Sequence, residues 1–397
     1  MRKEFYLLLI IFLLIIIYML VPKDTLKEKE ISIEKRAVFI SYIELGDNLR
    51  GKNERDMKDT IDMMLDNLES FGFNMVILQV RSFSDAIYES SIFPSSRSVV
   101  NSEGEDLPFD ILDYFIKEAH QKKLELHAWI NPYRISNTTD ISTISKENPA
   151  YIMLDTPNIE IIDSKGIYYN PASRKVESLI LDGIEEIIKN YDVDGIHFDD
   201  YFYPASPTID QKEYNKALEM ENNLTLQEFR LNTISSLIKK TYNLIKSYDE
   251  AIEFGISPDG NIDNNYNSNY VDTRLFCSKK GYVDYLMPQV YYGFLNSTKP
   301  FEETIKSWNN LITNGIELIP ALAFYKTGNI DNYAKEGVNE WVEYNNIIAR
   351  EVALSRELTN YSGFAIFRYD SIFGSDLTTT SFIEKENLKS ILSSDKE

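Results

Sequence analysis

The chain has 397 residues, 43% of them hydrophobic, and a formal net charge of −21 at pH 7. This length accommodates either two ordinary domains or one barrel-sized domain, and the negative charge argues against nucleic acid and anionic membrane surfaces as partners, because they would repel it. The lone cysteine, Cys277, excludes an intramolecular disulfide, and three scattered histidines make no convincing zinc motif, so neither a metal nor a cofactor is predicted.

The amino terminus contains an unbroken apolar run over residues 5–21, preceded by Arg2 and Lys3. This length is at the short end of what crosses a bilayer, and the positive flank should stay in the cytoplasm. The run lacks an Ala-x-Ala-like cleavage site. We therefore predict a single signal anchor or transmembrane helix over residues 1–22, a tether over 23–35 and an extracellular domain over 36–397. Secretion after cleavage of the signal is the alternative.

Beyond the tether, short β-rich runs alternate with amphipathic helical stretches. Strands are predicted over residues 36–42, 74–81, 124–130, 194–200, 252–257, 283–291, 316–323 and 363–369. Helices are predicted over residues 53–71, 110–122, 173–190, 225–246, 301–314, 338–358 and 380–393. Eight strands that alternate with helices indicate an α/β fold with a parallel sheet, and eight parallel strands close into a (β/α)8 TIM barrel. An open doubly wound sheet is disfavoured, because no glycine-rich turn follows an early strand.

Two predicted loops, residues 131–172 and 201–224, are much longer than most of the others. Long loops at the carboxyl side of a barrel build substrate grooves. Their lengths therefore predict an extended cleft.

The fourth predicted strand ends in two adjacent carboxylates, Asp199 and Asp200, followed by the aromatic run Tyr201-Phe202-Tyr203. Paired carboxyl groups supply the acid and base of glycoside hydrolysis, and flat rings stack on sugar faces. The alternative is a strand end that only caps the following helix.

In several predicted strands, polar side chains occupy every second position and become more frequent toward the carboxyl end of the strand. Because successive strand side chains point to opposite faces, residues of one parity share a face. These positions are Gln79 and Arg81; His127, Trp129 and Asn131; His197 and Asp199; Ser257 and Asp259; Met287, Gln289 and Tyr291. Buried polar groups are costly without partners, so the pattern predicts a functional site rather than a satisfied polar core.

Five ordered blocks resemble the glycosyl-hydrolase-like family 10 proteins over residues 36–369. They are Arg36-Ala-Val-Phe-Ile-Ser-Tyr42, Gln79-Val-Arg81 with Asp85-Ala-Ile-Tyr88, His127-Ala-Trp-Ile-Asn-Pro-Tyr-Arg134, Gly195-Ile-His-Phe-Asp-Asp-Tyr-Phe-Tyr-Pro204 and Pro288-Gln-Val-Tyr-Tyr292. The resemblance implies a (β/α)8 barrel acting on glycan outside the cell. One bacterial member type is similar to enzymes that cleave peptidoglycan strands stripped of their stem peptides.

A looser comparison concerns family-18 chitinases, whose fourth strand reads Asp-Gly-x-Asp-x-Asp-x-Glu and whose last Glu is the acid. The corresponding position here is Tyr201, so the chitinase assignment does not transfer. Asp200, one residue earlier, is the candidate acid if its side chain turns over the cleft.

We predict that Asp199 and Asp200 are catalytic, one as general acid and the other orienting the sugar or stabilising its positive charge, with the order left open. The predicted substrate-binding residues are Glu44, Arg81, Asn131, Tyr133, Arg134, His197, Tyr203, Asp259, Gln289 and Tyr291. A structural ion pair is the alternative for Arg81, and core packing is the alternative for Trp129 as a stacking platform.

Two functions stay open at this point. The favoured one is a membrane-anchored hydrolase of cell-wall glycan, with peptidoglycan as the partner polymer. The other is a non-catalytic glycan-binding barrel, in which the acids only hydrogen-bond hydroxyl groups. A deacetylase would need a metal-ligand set that the three histidines do not supply.

Overall fold

The computed structural model describes residues 33–200 and 202–393. The predicted membrane segment, residues 1–22, lies outside the described residues, as do most of the tether and Tyr201. No helix in the described ranges has the length and apolarity needed to cross a bilayer.

The strands of the described ranges are β1 (Lys35–Ile40), β2 (Met75–Arg81), β3 (Glu125–Ile130), β4 (Arg134–Ser136), β5 (Ile159–Ile162), β6 (Gly166–Tyr169), β7 (Gly195–Phe198), β8 (Glu253–Ile256), β9 (Tyr285–Leu286), β10 (Glu317–Leu318), β11 (Ala321–Leu322) and β12 (Gly363–Ile366). The α-helices are α1 (Tyr42–Asn48), α2 (Glu54–Phe71), α3 (Ile111–Gln121), α4 (Arg174–Asn190), α5 (Gln211–Leu218), α6 (Leu226–Tyr248), α7 (Ile262–Asn267), α8 (Thr273–Ser278), α9 (Phe301–Leu311), α10 (Glu340–Glu343), α11 (Ile347–Ser355), α12 (Tyr369–Phe373) and α13 (Thr379–Ser393).

Nine strands form one parallel sheet in the order β10-β9-β8-β7-β3-β2-β1-β12-β11. The strands at its two ends, β10 and β11, belong to one segment that Pro320 interrupts. On one side of this segment Ile319 N–H donates to the Leu286 carbonyl at 2.9 Å, and on the other the Pro320 carbonyl accepts from Ala365 N–H at 2.9 Å. The sheet therefore curls back on itself, which confirms the predicted α/β class and parallel sheet.

Some predicted elements differ from the structure. The strand predicted over 283–291 is paired regularly only at Tyr285–Leu286, because Pro288 has no N–H to donate to a ladder. The helix predicted over 338–358 is two helices, α10 and α11. The second begins where the buried Glu384 carboxylate accepts the N–H groups of Ile347 and Ala349, at 2.7 and 3.1 Å.

The long segment 131–172, predicted to be a loop, contains a second, antiparallel sheet in the order β4-β6-β5. Its strands have only three or four residues. Runs this short show too little alternation to be distinguished from loop in the sequence. The second sheet begins with β4, four residues after the carboxyl end of β3.

The apolar core has two layers. The larger one fills the space between the parallel sheet and its helices, and the smaller one lies inside the curled sheet around Phe39, Ile77 and Met287. Two glycines make room for rings in that interior: a Cβ at Gly195 would lie 2.4 Å from the His127 ring, and one at Gly255 would lie 2.1 Å from the Tyr285 ring. The interior is thus packed with side chains, and ligands are confined to its ends.

Candidate active site

A cavity of about 290 Å³ opens at the carboxyl ends of the parallel strands. Both predicted catalytic acids line it, together with other side chains from several strands. These include Trp129 near the carboxyl end of β3, Arg134 at the start of β4, and Gln289 and Tyr291 in the segment after β9. The parallel arrangement brings these residues together because it places all strand carboxyl ends at one edge.

Asp199 follows β7 and is almost fully buried, with 3% of its surface exposed. Its Oδ2 accepts a hydrogen bond from Trp129 Nε1 at 3.0 Å and another from Asn131 Nδ2 at 3.2 Å. Both donors come from the neighbouring β3 and the residue after it, which the register of β3 against β7 places beside Asp199. Donors aimed at a carboxylate stabilise its charged form and fix its orientation.

Asp200 is only half-buried and faces the same cavity. The pKa of Asp200 is raised to about 6, mainly by burial and in smaller part by the charge of Asp259. A hydrogen bond from the Gln289 side chain and the charge of Arg134 act in the opposite direction. Two adjacent carboxylates thus have different surroundings, as acid and charge-stabilising groups in glycosidases do.

His197 lies inside the sheet, below the cavity, and is fully buried. Its Nδ1 is 2.9 Å from Tyr285 Oη, and its Nε2 is 2.9 Å from the Oγ of Ser257, which lines the cavity. Burial lowers the pKa of His197 to about 3, so the ring is neutral near pH 7. The geometry makes His197 a support for Ser257 rather than a cavity-lining group.

Four more predicted residues lie in or beside the cavity. The Asn131 Oδ1 accepts the backbone N–H of Arg134 at 3.2 Å, which ties the turn after β3 to the first residue of β4. Gln289 Nε2 donates to the Ser257 carbonyl at 3.1 Å. The Tyr291 ring lies 5.7 Å from the ring of Phe367.

Arg81 does not lie in the cavity. The register of β2 against β3 shifts between Gln79 and Arg81, so a bulge reverses the alternation there. Gln79 keeps the inner face, whereas the Arg81 guanidinium lies 4.3 Å from the Phe93 ring and close to Gly183 on the outer side. Gln79 and Arg81 therefore do not share a face of the sheet, contrary to the prediction.

Three other predicted binding residues are used in packing and ion pairs. The Tyr133 ring is buried in the outer core. The Tyr203 hydroxyl is buried and donates to Asp210 Oδ2 at 2.9 Å. Glu44, fully buried, completes a capping box with Ser41 and pairs with Arg368.

Asp259 accepts the backbone N–H of Asn261 at 2.7 Å and so shapes the turn before α7. It does not line the cavity, and it acts on Asp200 through its charge.

Part of the cavity wall comes from residues that the sequence analysis did not single out. They are Phe39 in β1, Ser41 between β1 and α1, Tyr42 and Ile43 at the start of α1, and Phe367 after β12. The parity of β1 could have indicated Phe39 and Ser41, which alternate with outward-facing Val38 and Ile40. Phe367 carries the same signal, because it lies in the predicted strand 363–369 and alternates with outward-facing Phe364 and Ile366.

A curled parallel sheet with two carboxylates and several rings at its carboxyl end is the arrangement expected of a glycoside hydrolase. The comparisons with known proteins give the same class. The chain belongs to the family described as "Glycosyl hydrolase-like 10", whose model matches residues 34–339.

Two relatives illustrate the match. The chain is 30% identical over 353 residues to "Glycosyl hydrolase YngK" of Bacillus subtilis, covering 83% of this chain and 67% of that one. It is 29% identical over 335 residues to "Glycosyl hydrolase DigH" of Escherichia coli K12, covering 77% of this chain and 74% of that one.

Among solved structures, the glycoside hydrolase domain of PgaB (BpsB) from Bordetella bronchiseptica has a similar fold. Its TM-score is 0.60 at 12% sequence identity, over 91% of this chain and 99% of that one. The catalytic domain of a β-amylase from Paenibacillus polymyxa matches with a TM-score of 0.55 at 9% identity, over 90% of this chain and 98% of that one.

Proposed function

We propose that this chain is a membrane-anchored extracytoplasmic glycoside hydrolase, built on a closed (β/α)8 barrel, that cleaves cell-wall glycan by carboxylate chemistry. One observation carries the proposal: Asp199 and Asp200 line one cavity but differ in burial and in hydrogen-bond partners. The resemblance to proteins that act on peptidoglycan strands without stem peptides supports the substrate. The apolar run over residues 5–21 supports the anchor.

The surroundings of the two acids assign their roles in this proposal. The raised pKa of Asp200 keeps a larger share of this group protonated near neutral pH, as a general acid requires. Asp200 protonates the bridging oxygen while the bond from that oxygen to the anomeric carbon breaks. Asp199, held by Trp129 and Asn131, is the carboxylate that stabilises the positive charge that develops on the sugar. Water then adds its oxygen to the anomeric carbon, and its proton returns to the Asp200 carboxylate.

Incubation of the full chain, purified in detergent, with intact sacculi and with amidase-treated sacculi tests the substrate. Mass spectrometry of the soluble fraction should find glycan fragments with new reducing ends, and more of them from the amidase-treated wall. The absence of such fragments from both preparations would exclude cell-wall glycan as the substrate.

The pH dependence of cleavage follows from the role of Asp200. Since the protonated form is active, kcat/KM should fall by about tenfold per pH unit above roughly pH 6, the pKa of this group. Gln289→Leu removes a hydrogen bond that lowers this pKa, so the falling limb should move to higher pH. Asp259→Asn removes a charge that raises it, so the limb should move to lower pH. Shifts in one common direction would contradict the assignment.

A further inference from the structure

A second acidic cavity, of about 250 Å³, opens at the opposite end of the parallel sheet. Glu125 and Glu253 are the first residues of β3 and β8. His127 lies two residues after Glu125 in β3, on the same face of the strand. Single donor atoms of these three residues all lie within 4.8 Å of one another. The catalytic cavity shares none of these residues.

His127 supplies the observation that points to a ligand. The residue is fully buried, and its Nε2 has no hydrogen-bond partner among the described residues. The nearest carboxylate oxygen, Glu253 Oε2, is 3.7 Å away, which is too far for a hydrogen bond. Buried polar atoms are rarely left without a partner, so this nitrogen, in a cluster with two carboxylates, marks a place where something binds.

The charge around the three residues favours a cation. Lys35 Nζ bonds Glu253 at 2.5 and 2.6 Å and Glu317 at 2.7 Å, so one ammonium serves two carboxylates and Glu125 adds a third. Both Glu253 oxygens accept from Lys35, but a carboxylate has about four lone-pair sites, so each oxygen keeps one for another ligand. The surplus negative charge would be offset by a divalent cation.

We propose that Glu125, His127 and Glu253 bind one first-row divalent cation of the Zn²⁺ or Mn²⁺ kind. Two carboxylate oxygens and one imidazole nitrogen form a ligand set that suits such ions. The ion links β3 to β8 across β7, which lies between them in the sheet. It therefore stabilises the amino end of the curled sheet, the end where barrels carry stability rather than catalysis.

The hydrogen bonds behind His127 match this role. A neutral imidazole that gives its Nε2 lone pair to a metal carries its proton on Nδ1. His127 Nδ1 is 2.9 Å from Tyr285 Oη, which can accept that proton's hydrogen bond and donate its own to His197 Nδ1 at 2.9 Å. His197 Nε2 then donates to Ser257 Oγ at 2.9 Å. Metal-ligating histidines usually have such a partner on the second nitrogen.

Zinc titration of the EDTA-treated full chain tests the site, with calorimetry and thermal unfolding as readouts. We expect one Zn²⁺ per chain and a higher melting temperature. Two matched variants distinguish the loss of a metal ligand from the loss of an ion pair with Lys35. Glu253→Gln and Glu317→Gln each remove one carboxylate that pairs with Lys35, but only Glu253 is a proposed metal ligand. Glu253→Gln should weaken zinc binding at least about tenfold relative to Glu317→Gln.

Nitrogen-15 spectra of histidine-labelled protein identify the ligand atom, because the chain has only three histidines. Zinc should shift the Nε2 resonance of His127 and leave its Nδ1 protonated. The proposal is overturned if zinc does not saturate, if both variants bind it like the parent chain, or if the His127 resonances stay unchanged. These outcomes do not depend on glycan cleavage, so this site and the proposed function can fail separately.

Discussion

The Asp200→Asn chain should lose glycan cleavage by about 10²- to 10⁴-fold, the usual contribution of a general acid, while keeping its fold and its affinity for glycan. Asparagine has nearly the same shape as aspartate, but it has no proton of suitable acidity to give to a leaving oxygen. Asp200 is half-buried at the cavity edge, so the substitution leaves the core unchanged. Cleavage rates and glycan binding measured on the same preparation check both parts of the expectation.

A matched control is Asp182→Asn, which makes the same chemical change on the exposed face of α4. Its cleavage rate should equal that of the parent chain. A cleavage rate within tenfold of the parent's for Asp200→Asn would remove Asp200 from the chemistry. Glycan binding without any cleavage by the parent chain would instead indicate that the barrel only binds glycan.

The second large effect concerns stability. Asp210→Asn should lower the free energy of unfolding by about 3–5 kcal/mol, because it leaves a buried guanidinium without its counter-charge. Arg230 donates to both Asp210 oxygens, at 2.8 Å from Nε and 2.6 Å from Nη2. Both residues are buried, and the guanidinium lies 4.9 Å from the ring centroids of Tyr203 and Tyr270.

Urea unfolding of the full chain measures this loss. The control is Asp263→Asn, which breaks the ion pair with Arg274 at 3.0 Å, where 67% and 48% of the two side chains are exposed. Because water screens exposed pairs, this variant should change the free energy of unfolding by no more than about 1 kcal/mol. Equal losses of unfolding free energy in both variants would show that the buried ion pair contributes no more to stability than the exposed one.

The parallel sheet could be predicted from the sequence because most of its strands are regular. In β7 the alternation holds to the end, so His197 and Asp199 do share the inner face. In β2 the bulge after Gln79 reverses the alternation, and Arg81 turns outward. A bulge is a feature of the pairing between two strands, so the alternation within one strand does not reveal it.

The loop residues of the site were harder to predict. Tyr133 and Tyr203 lie in or beside long loops, where aromatic side chains suit a sugar-binding surface and a core equally well. The structure places both rings in buried contacts. Ser41, Tyr42 and Phe367 join the cavity only because the sheet curls until the ends of β1 and β12 meet the end of β7. The cluster proposed to bind a metal has the same origin, since Glu125 and Glu253 are far apart in the chain.

The division of labour between the two acids is tested most directly by comparing Asp199→Asn and Asp200→Asn on two substrates, cell-wall glycan and the aryl glycoside of the same sugar. A nitrophenolate departs without being protonated, so a missing general acid matters little for the aryl substrate. The attacking water still needs Asp200 as its base, so the assay includes azide, an anion that attacks the anomeric carbon without losing a proton. With azide, we expect Asp200→Asn to regain most of the parent's rate on the aryl glycoside and Asp199→Asn to stay inactive on both. Recovery by Asp199→Asn instead, or equal loss by both variants on both substrates, would contradict the roles assigned here.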